Sequence, residues 1–136
     1  MKPKRSAERR EPRYILDTSA LVAYLAQEPG GEKVRGFRHG AALPFIVLTE
    51  LYYITWRKHG EPLADVTLQH VLGWRLPLLL PDERISLFAG SLKARHRLGV
   101  ADSFVAAFTL THRATLVTTD EDFRALTPSL HVLLLR

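Results

Sequence analysis

Short apolar, β-prone runs alternate with longer segments of helical period, and that alternation confines the chain to one fold class. Tyr14-Ile15-Leu16, Ala42-Leu43-Pro44, Thr115 to Thr118 and His131 to Leu135 read as strands, and Leu76 to Leu80 reads as a short strand or a loop. Between them Leu21, Val22 and Leu25 set a helical period from Thr18 that Pro29-Gly30-Gly31 stops. Glu32 to Arg38 predicts a short second helix. Longer ones follow over Phe45 to His59, closed by Gly60, over Pro62 to Trp74, and over Asp82 to Leu98, ended by Gly99. Asp102 to His112 and Asp120 to Leu126 complete the set. Strands that alternate with helices imply an α/β fold with three α/β/α layers around a central, mostly parallel sheet. Pro44 lacks a backbone N–H, which places the second run at a sheet edge.

The 136 residues suffice for one core-bearing domain, and 46% hydrophobic with 24% charged content is that of a globular chain. The absence of cysteine excludes a disulfide framework and thiolate metal sites. Of the net charge of +5, Met1 to Arg13 supplies +4, from six basic and two acidic residues. Residues 1–13 therefore read as a basic, flexible tail, either a solubilising extension or an arm that meets phosphates, ahead of a nearly neutral domain at 14–136. The longest apolar stretches, Ala41 to Leu48 and Leu130 to Leu135, fall far short of the roughly 20 residues that span a membrane. Asp17, Thr18 and Ser19 interrupt the apolar run that a signal peptide needs after the tail, so the chain reads as cytoplasmic.

The informative residues are carboxylates set where apolar side chains belong. Glu50 lies mid-helix, with Ile46, Val47, Tyr53 and Ile54 three and four positions away, so it points along the apolar stripe. Asp102 is flanked by Leu98, Gly99, Val105 and Ala106, and Asp17 ends an apolar strand with no base nearby in sequence. In a parallel sheet, strand ends and helix starts share one edge, where ligands bind. Connectivity brings Asp17, Glu50, Asp102 and Asp120 to that edge. Two carboxylates 4 Å apart repel by roughly 4 kcal/mol at an effective dielectric near 20, so the cluster calls for a cation. An oxygen-only, cysteine-free set selects Mg²⁺ or Mn²⁺, ions that serve phosphodiester hydrolysis by lowering the pKa of water and stabilising the attacking and leaving oxygens.

Each acid also admits a plainer role. Asp17 and Asp102 can cap the helices that follow them, and Glu50 can be a buried, hydrogen-bonded carboxylate. Thr119 and Asp122 fit a capping box, which leaves Asp122 an outside candidate beside Asp120. None of the six histidines has metal-ligand spacing.

Tyr14-Ile15-Leu16-Asp17-Thr18-Ser19-Ala20-Leu21, Thr49-Glu50-Leu51, Gly99-Val100-Ala101-Asp102-Ser103-Phe104-Val105-Ala106-Ala107 and Leu116-Val117-Thr118-Thr119-Asp120-Glu121-Asp122-Phe123 occur in that order. The set resembles a PIN domain across everything after the tail, and its small size resembles VapC-type toxins of toxin–antitoxin pairs. The resemblance implies a metal-dependent endoribonuclease that holds one or two Mg²⁺ or Mn²⁺ ions and leaves 5′-phosphate and 3′-hydroxyl ends. By motif position Asp17, Glu50 and Asp102 are its three principal acids and Asp120 its more variable fourth, the catalytic and metal-holding set. The polar residue beside the first acid falls on Thr18 or Ser19, and a hydroxyl near the last on Thr118 or Thr119. The implied partners are RNA as substrate, a small antitoxin protein whose segment occupies the site, and a second copy in a homodimer. The long basic N-terminus departs from the family pattern and leaves open a PIN nuclease of RNA processing. A catalytically silent PIN-like binding module is a further alternative. A haloacid-dehalogenase phosphatase is disfavoured because its second Asp, two residues after the first, is here Ser19.

Two further clusters have double readings. Arg95, His96 and Arg97 can grip phosphates near the acids or complement a helix dipole at its C-terminus. Tyr52, Tyr53 and Trp56 read as core or interface packing rather than base stacking.

Overall fold

The computed structural model describes residues 11–136. Strand β1 (Tyr14–Leu16) leads to helix α1 (Thr18–Leu25), then to a 3₁₀ turn (Gly31–Lys33) that runs into α2 (Val34–Phe37). Strand β2 (Ala41–Pro44), helices α3 (Phe45–His59) and α4 (Glu61–Leu72) and strand β3 (Leu78–Leu79) follow. After α5 (Glu83–Arg95) and α6 (Val100–Thr111) come β4 (Thr115–Thr118), a 3₁₀ segment (Glu121–Leu126) and β5 (His131–Leu134).

The five strands lie in the order β3-β2-β1-β4-β5, and every pairing is parallel. The chain therefore builds outward from β1 through β2 to β3, returns, and continues through β4 to β5. Right-handed crossovers place α1, α3 and α4 on one face and α5 with α6 on the other, the three layers expected. Contacts of α1 with α3, α3 with α4, and α5 with α6 agree with that layering, and α3 also meets α6, Phe45 packing edge-on against Phe104 and Phe108. The direction of winding reverses between β1 and β4, so the crevice at their carboxyl ends is the switch point where doubly wound sheets bind ligands.

The second strand corrects an expectation. Pro44 is in β2, but β2 lies inside the sheet and the two-residue β3 forms the edge. Consecutive residues of a parallel strand point their N–H groups to opposite neighbours. Leu43 donates to Pro77 on the β3 side at 2.9 Å, so position 44 faces β1. The β1–β2 pairing ends at Ile15 and Ala42, so the missing N–H falls beyond the ladder and costs it no bond.

Ile15, Leu16, Leu116 and Val117 of the central strands are fully buried, as are Val105, Ala106 and Ala107 of α6 and Ala20, Leu21 and Ala23 of α1. The alanines let both helices approach the sheet closely. Gly31 does the same for the turn after α1, because a Cβ there would overlap the carbonyl oxygen of Ala23. Gly31→Ala is expected to cost about 1–3 kcal/mol by overpacking against backbone that cannot yield, read as a lower Tm in thermal denaturation. An unchanged Tm would show that the turn can shift.

Of the basic segment at 1–13, residues 1–10 lie outside the described residues. Glu11 pairs with His112 Nδ1 at 2.6 Å, and the Arg13 N–H and C=O bond Gly40 and Thr115. No helix of the described residues is long and apolar enough to cross a membrane.

Candidate active site

Four of the acids singled out by sequence line one cavity of about 430 Å³ at the carboxyl edge of the sheet. Asp17 follows β1, Asp120 follows β4, Asp102 is in the first turn of α6, and Glu50 is in the second turn of α3. Thr18, Ser19, Val22, Glu28, Ile54 and Thr119 complete the wall, which contains five carboxylates and no lysine, arginine or histidine. Asp122 is not part of this lining. Glu28 was not visible as a site residue in the sequence. It sits in the turn after the eight-residue α1, where an acid reads as a solvated loop residue.

The capping alternatives are not met. Asp17 occupies the N-cap position of α1 but its side chain makes no cap bond. Asp102 is not a cap, because α6 begins two residues earlier and Gly99 holds the N-cap position. The capping box at Thr119 and Asp122 is replaced by Asp120, whose Oδ1 accepts from the Asp122 N–H at 2.9 Å.

Two hydroxyls converge on Asp17, which is 4% exposed. Ser19 and Thr118 each donate to its Oδ2 at 2.8 Å. Each hydroxyl oxygen in turn accepts a backbone N–H at 3.0 Å, from Thr119 and Asp120 respectively. Both hydroxyl protons are thus committed to the carboxylate, and the polarised chain favours its charged form. Burial nonetheless raises the Asp17 pKa above its usual value, more than these bonds lower it, and the charge of Glu50 adds to the rise. Glu50 Oε1 accepts the Thr18 hydroxyl at 2.7 Å.

Asp102 makes no hydrogen bond among the described residues. Desolvation, and then the charges of Asp17, Asp120, Glu50 and Asp122, push its carboxyl up to about 7. A half-buried acid raised first by desolvation and then by four neighbouring acids, with no base to offset them in the wall, is the electrostatic mark of an uncompensated cluster.

No three histidine, aspartate or glutamate side chains among the described residues stand in ready metal-holding geometry. The acids share a cavity without being drawn together, each of Asp17, Glu50 and Asp120 having one oxygen turned to a hydroxyl or amide of its own. The donor set still fits a hard divalent cation, being all carboxylate with no basic residue in the wall.

A family model for the PIN domain matches residues 14–127. The chain belongs to the PIN domain family. Solved structures of similar fold include VapBC2 from Rickettsia felis bound to a DNA fragment from their promoter, at 21% identity and TM-score 0.74 over 90% of this chain and 98% of that one. DNA-bound VapBC from Salmonella typhimurium is similar at 16% identity and TM-score 0.73, over 90% and 97% of the two chains. VapBC-1 from nontypeable Haemophilus influenzae is similar at 24% identity and TM-score 0.68, over 89% and 96%. No curated protein matches the chain by sequence.

Other features of this PIN domain settle more simply. Arg95 turns back on its own helix, its Nε donating to the Ser91 carbonyl at 3.3 Å, and Lys93 donates to the Leu98 carbonyl at 2.9 Å. Tyr52 donates to Asp65 at 2.6 Å and packs edge-on against Trp56, joining α3 to α4. That bond pushes the Tyr52 phenol up to about 12. A mostly apolar cavity of about 400 Å³ between α1, α3 and α4 adjoins the acids, sharing Val22, Glu28 and Ile54 with their cavity.

Proposed function

We propose that this PIN domain is a Mg²⁺- or Mn²⁺-dependent endoribonuclease, the toxin of a toxin–antitoxin pair, with Asp17, Glu50, Asp102 and Asp120 as its metal-holding and catalytic residues. The observation that carries the reading is the cavity at the β1–β4 switch point, walled by five carboxylates with no base to neutralise them. One or two ions bound there supply Lewis acidity and a lowered pKa for water in phosphodiester hydrolysis. The protein's part is to hold charge in place. The Ser19–Thr118 pair fixes Asp17, the α6 N-terminus presents Asp102 where the helix dipole favours an anion, and the first turns of α3 carry Glu50 over the crevice.

The antitoxin and homodimer are supported by apolar surface. The cavity beside the acids, lined by Val22, Leu25, Ile54 and Leu63, suits an apolar segment that ends in a basic residue at the carboxylates. Tyr53, Trp56 and Val66 are exposed on α3 and α4 and are open to a second protein. The basic N-terminus keeps both of its readings, a solubilising extension or an arm that meets phosphates, and the protein is read as cytoplasmic.

Purified protein is expected to cut structured RNA with Mg²⁺ or Mn²⁺ and not in EDTA, with Asp17→Asn inactive. Equal cleavage by the wild type and Asp17→Asn, or undiminished cleavage in EDTA, contradicts the reading.

A further inference from the structure

Asp17, Thr18 and Ser19 are consecutive, yet their side chains part to two places, Asp17 and Ser19 meeting at Thr118 and Thr18 going to Glu50. Ser19 turns to β4, where it meets Thr118 at 3.0 Å and the Thr119 amide. Thr18 turns the other way, to α3, and donates to Glu50 across 32 residues of sequence. Thr18 is the first residue of α1 and 5% exposed, and its hydroxyl makes no bond to its own helix. We infer that Thr18 is a positioning residue for Glu50, fixing one carboxylate oxygen so that the other remains free for a cation. The inference rests on the metal-dependent reading above.

The chemistry favours such a hook. Glu50 has three side-chain torsions and is only partly buried, so without a tether it samples several rotamers before it can serve as a ligand. Of its neighbours, Ile46, Val47 and Ile54 have no side-chain donor, and the Tyr53 hydroxyl makes no bond to it among the described residues. Thr18 supplies one hydrogen bond from a site that cannot wander, because the residue is buried at the root of α1 between Asp17 and Ser19. Only one of the two Glu50 oxygens is engaged, and Oε2 carries no hydrogen bond among the described residues. Two consecutive residues thereby fix two acids on different elements, Ser19 holding Asp17 and Thr18 holding Glu50.

The test is Mn²⁺ binding by calorimetry to the full-length wild type, Thr18→Val and Thr18→Ser. Thr18→Val keeps the shape and removes the donor, and is expected to weaken Mn²⁺ binding about tenfold, the lower end for loss of a group that orients a metal ligand. Thr18→Ser keeps the donor and is expected to bind within about twofold of wild type on the same grounds. Thr18→Ala serves as a second donor-free variant should Thr18→Val not fold, with circular dichroism confirming the fold. Equal binding by wild type and a folded donor-free variant overturns the inference, as does Thr18→Ser binding as weakly as Thr18→Val. A wild type that binds no Mn²⁺ overturns the metal-dependent reading itself, which separates the two failures.

Discussion

Asp102→Asn is expected to move stability and activity in opposite directions. In EDTA at pH 7.5 the variant should be more stable than wild type, because Asp102 makes no hydrogen bond to lose and its charge is opposed by burial and by its acidic neighbours. The rise from 3.8 to about 7 would convert to roughly 4 kcal/mol if taken whole. Solvent screens a half-buried group, so about 1 kcal/mol is expected, near 3 °C in Tm. RNA cleavage with Mg²⁺ should nonetheless fall by ~10²–10³-fold or more, the scale of losing one preorganised electrostatic group. A structural carboxylate would behave otherwise, with stability falling on substitution. Thermal unfolding in EDTA and single-turnover cleavage measure the two effects. A less stable variant, or one that cuts as well as wild type, would contradict the assigned role.

The second large effect is on pH dependence. A carboxyl whose folded pKa is raised binds its proton more tightly in the folded state, so its contribution to stability is fully present below about pH 4. That contribution is lost as pH rises through about 7. Asp17 shifts in the same direction. In EDTA the Tm of wild type is therefore expected to fall between pH 5 and 7.5, with Asp102 contributing about 1 kcal/mol of that loss after the same solvent screening. Saturating Mn²⁺ should flatten or reverse that slope, because the ion takes the place of the protons and binds the charged form. Asp102→Asn should remove part of the slope. A stability that rises through this range in EDTA, or a slope unchanged in Asp102→Asn, would show that the acids are not in mutual repulsion.

Much of the site was legible because it follows from connectivity. Asp17 and Asp120 end central strands, and Asp102 lies where a helix begins, so a parallel sheet brings all three to one edge whatever their side chains do. Glu50 was visible because an acid on an apolar stripe has no ordinary place to go. What the sequence left open depends on side-chain direction and on single hydrogen bonds. Thr18 and Ser19 are equivalent as letters, and only the turn from β1 into α1 sends one to Glu50 and the other to Thr118. Asp102 looked able to cap because its helix was taken to start there, whereas Gly99 takes the N-cap position and leaves Asp102 facing the cavity. Pro44 misled for a related reason. The rule that excludes proline from inner strands concerns a bonded N–H, and this one points past the end of the ladder. Glu28 reaches the acids only because the short α1 returns the chain to the crevice, a consequence of length and angle that no motif records.

The central claim is that four carboxylates at the β1–β4 switch point hold a hard divalent ion. Its most direct test is a calorimetric titration of the metal-free protein with Mn²⁺ at pH 6.5 and at 7.5. Expected is saturable binding that is tighter at pH 7.5, with protons released at pH 6.5, and its loss in Asp17→Asn. No binding by wild type, or binding that Asp17→Asn leaves intact, would contradict it.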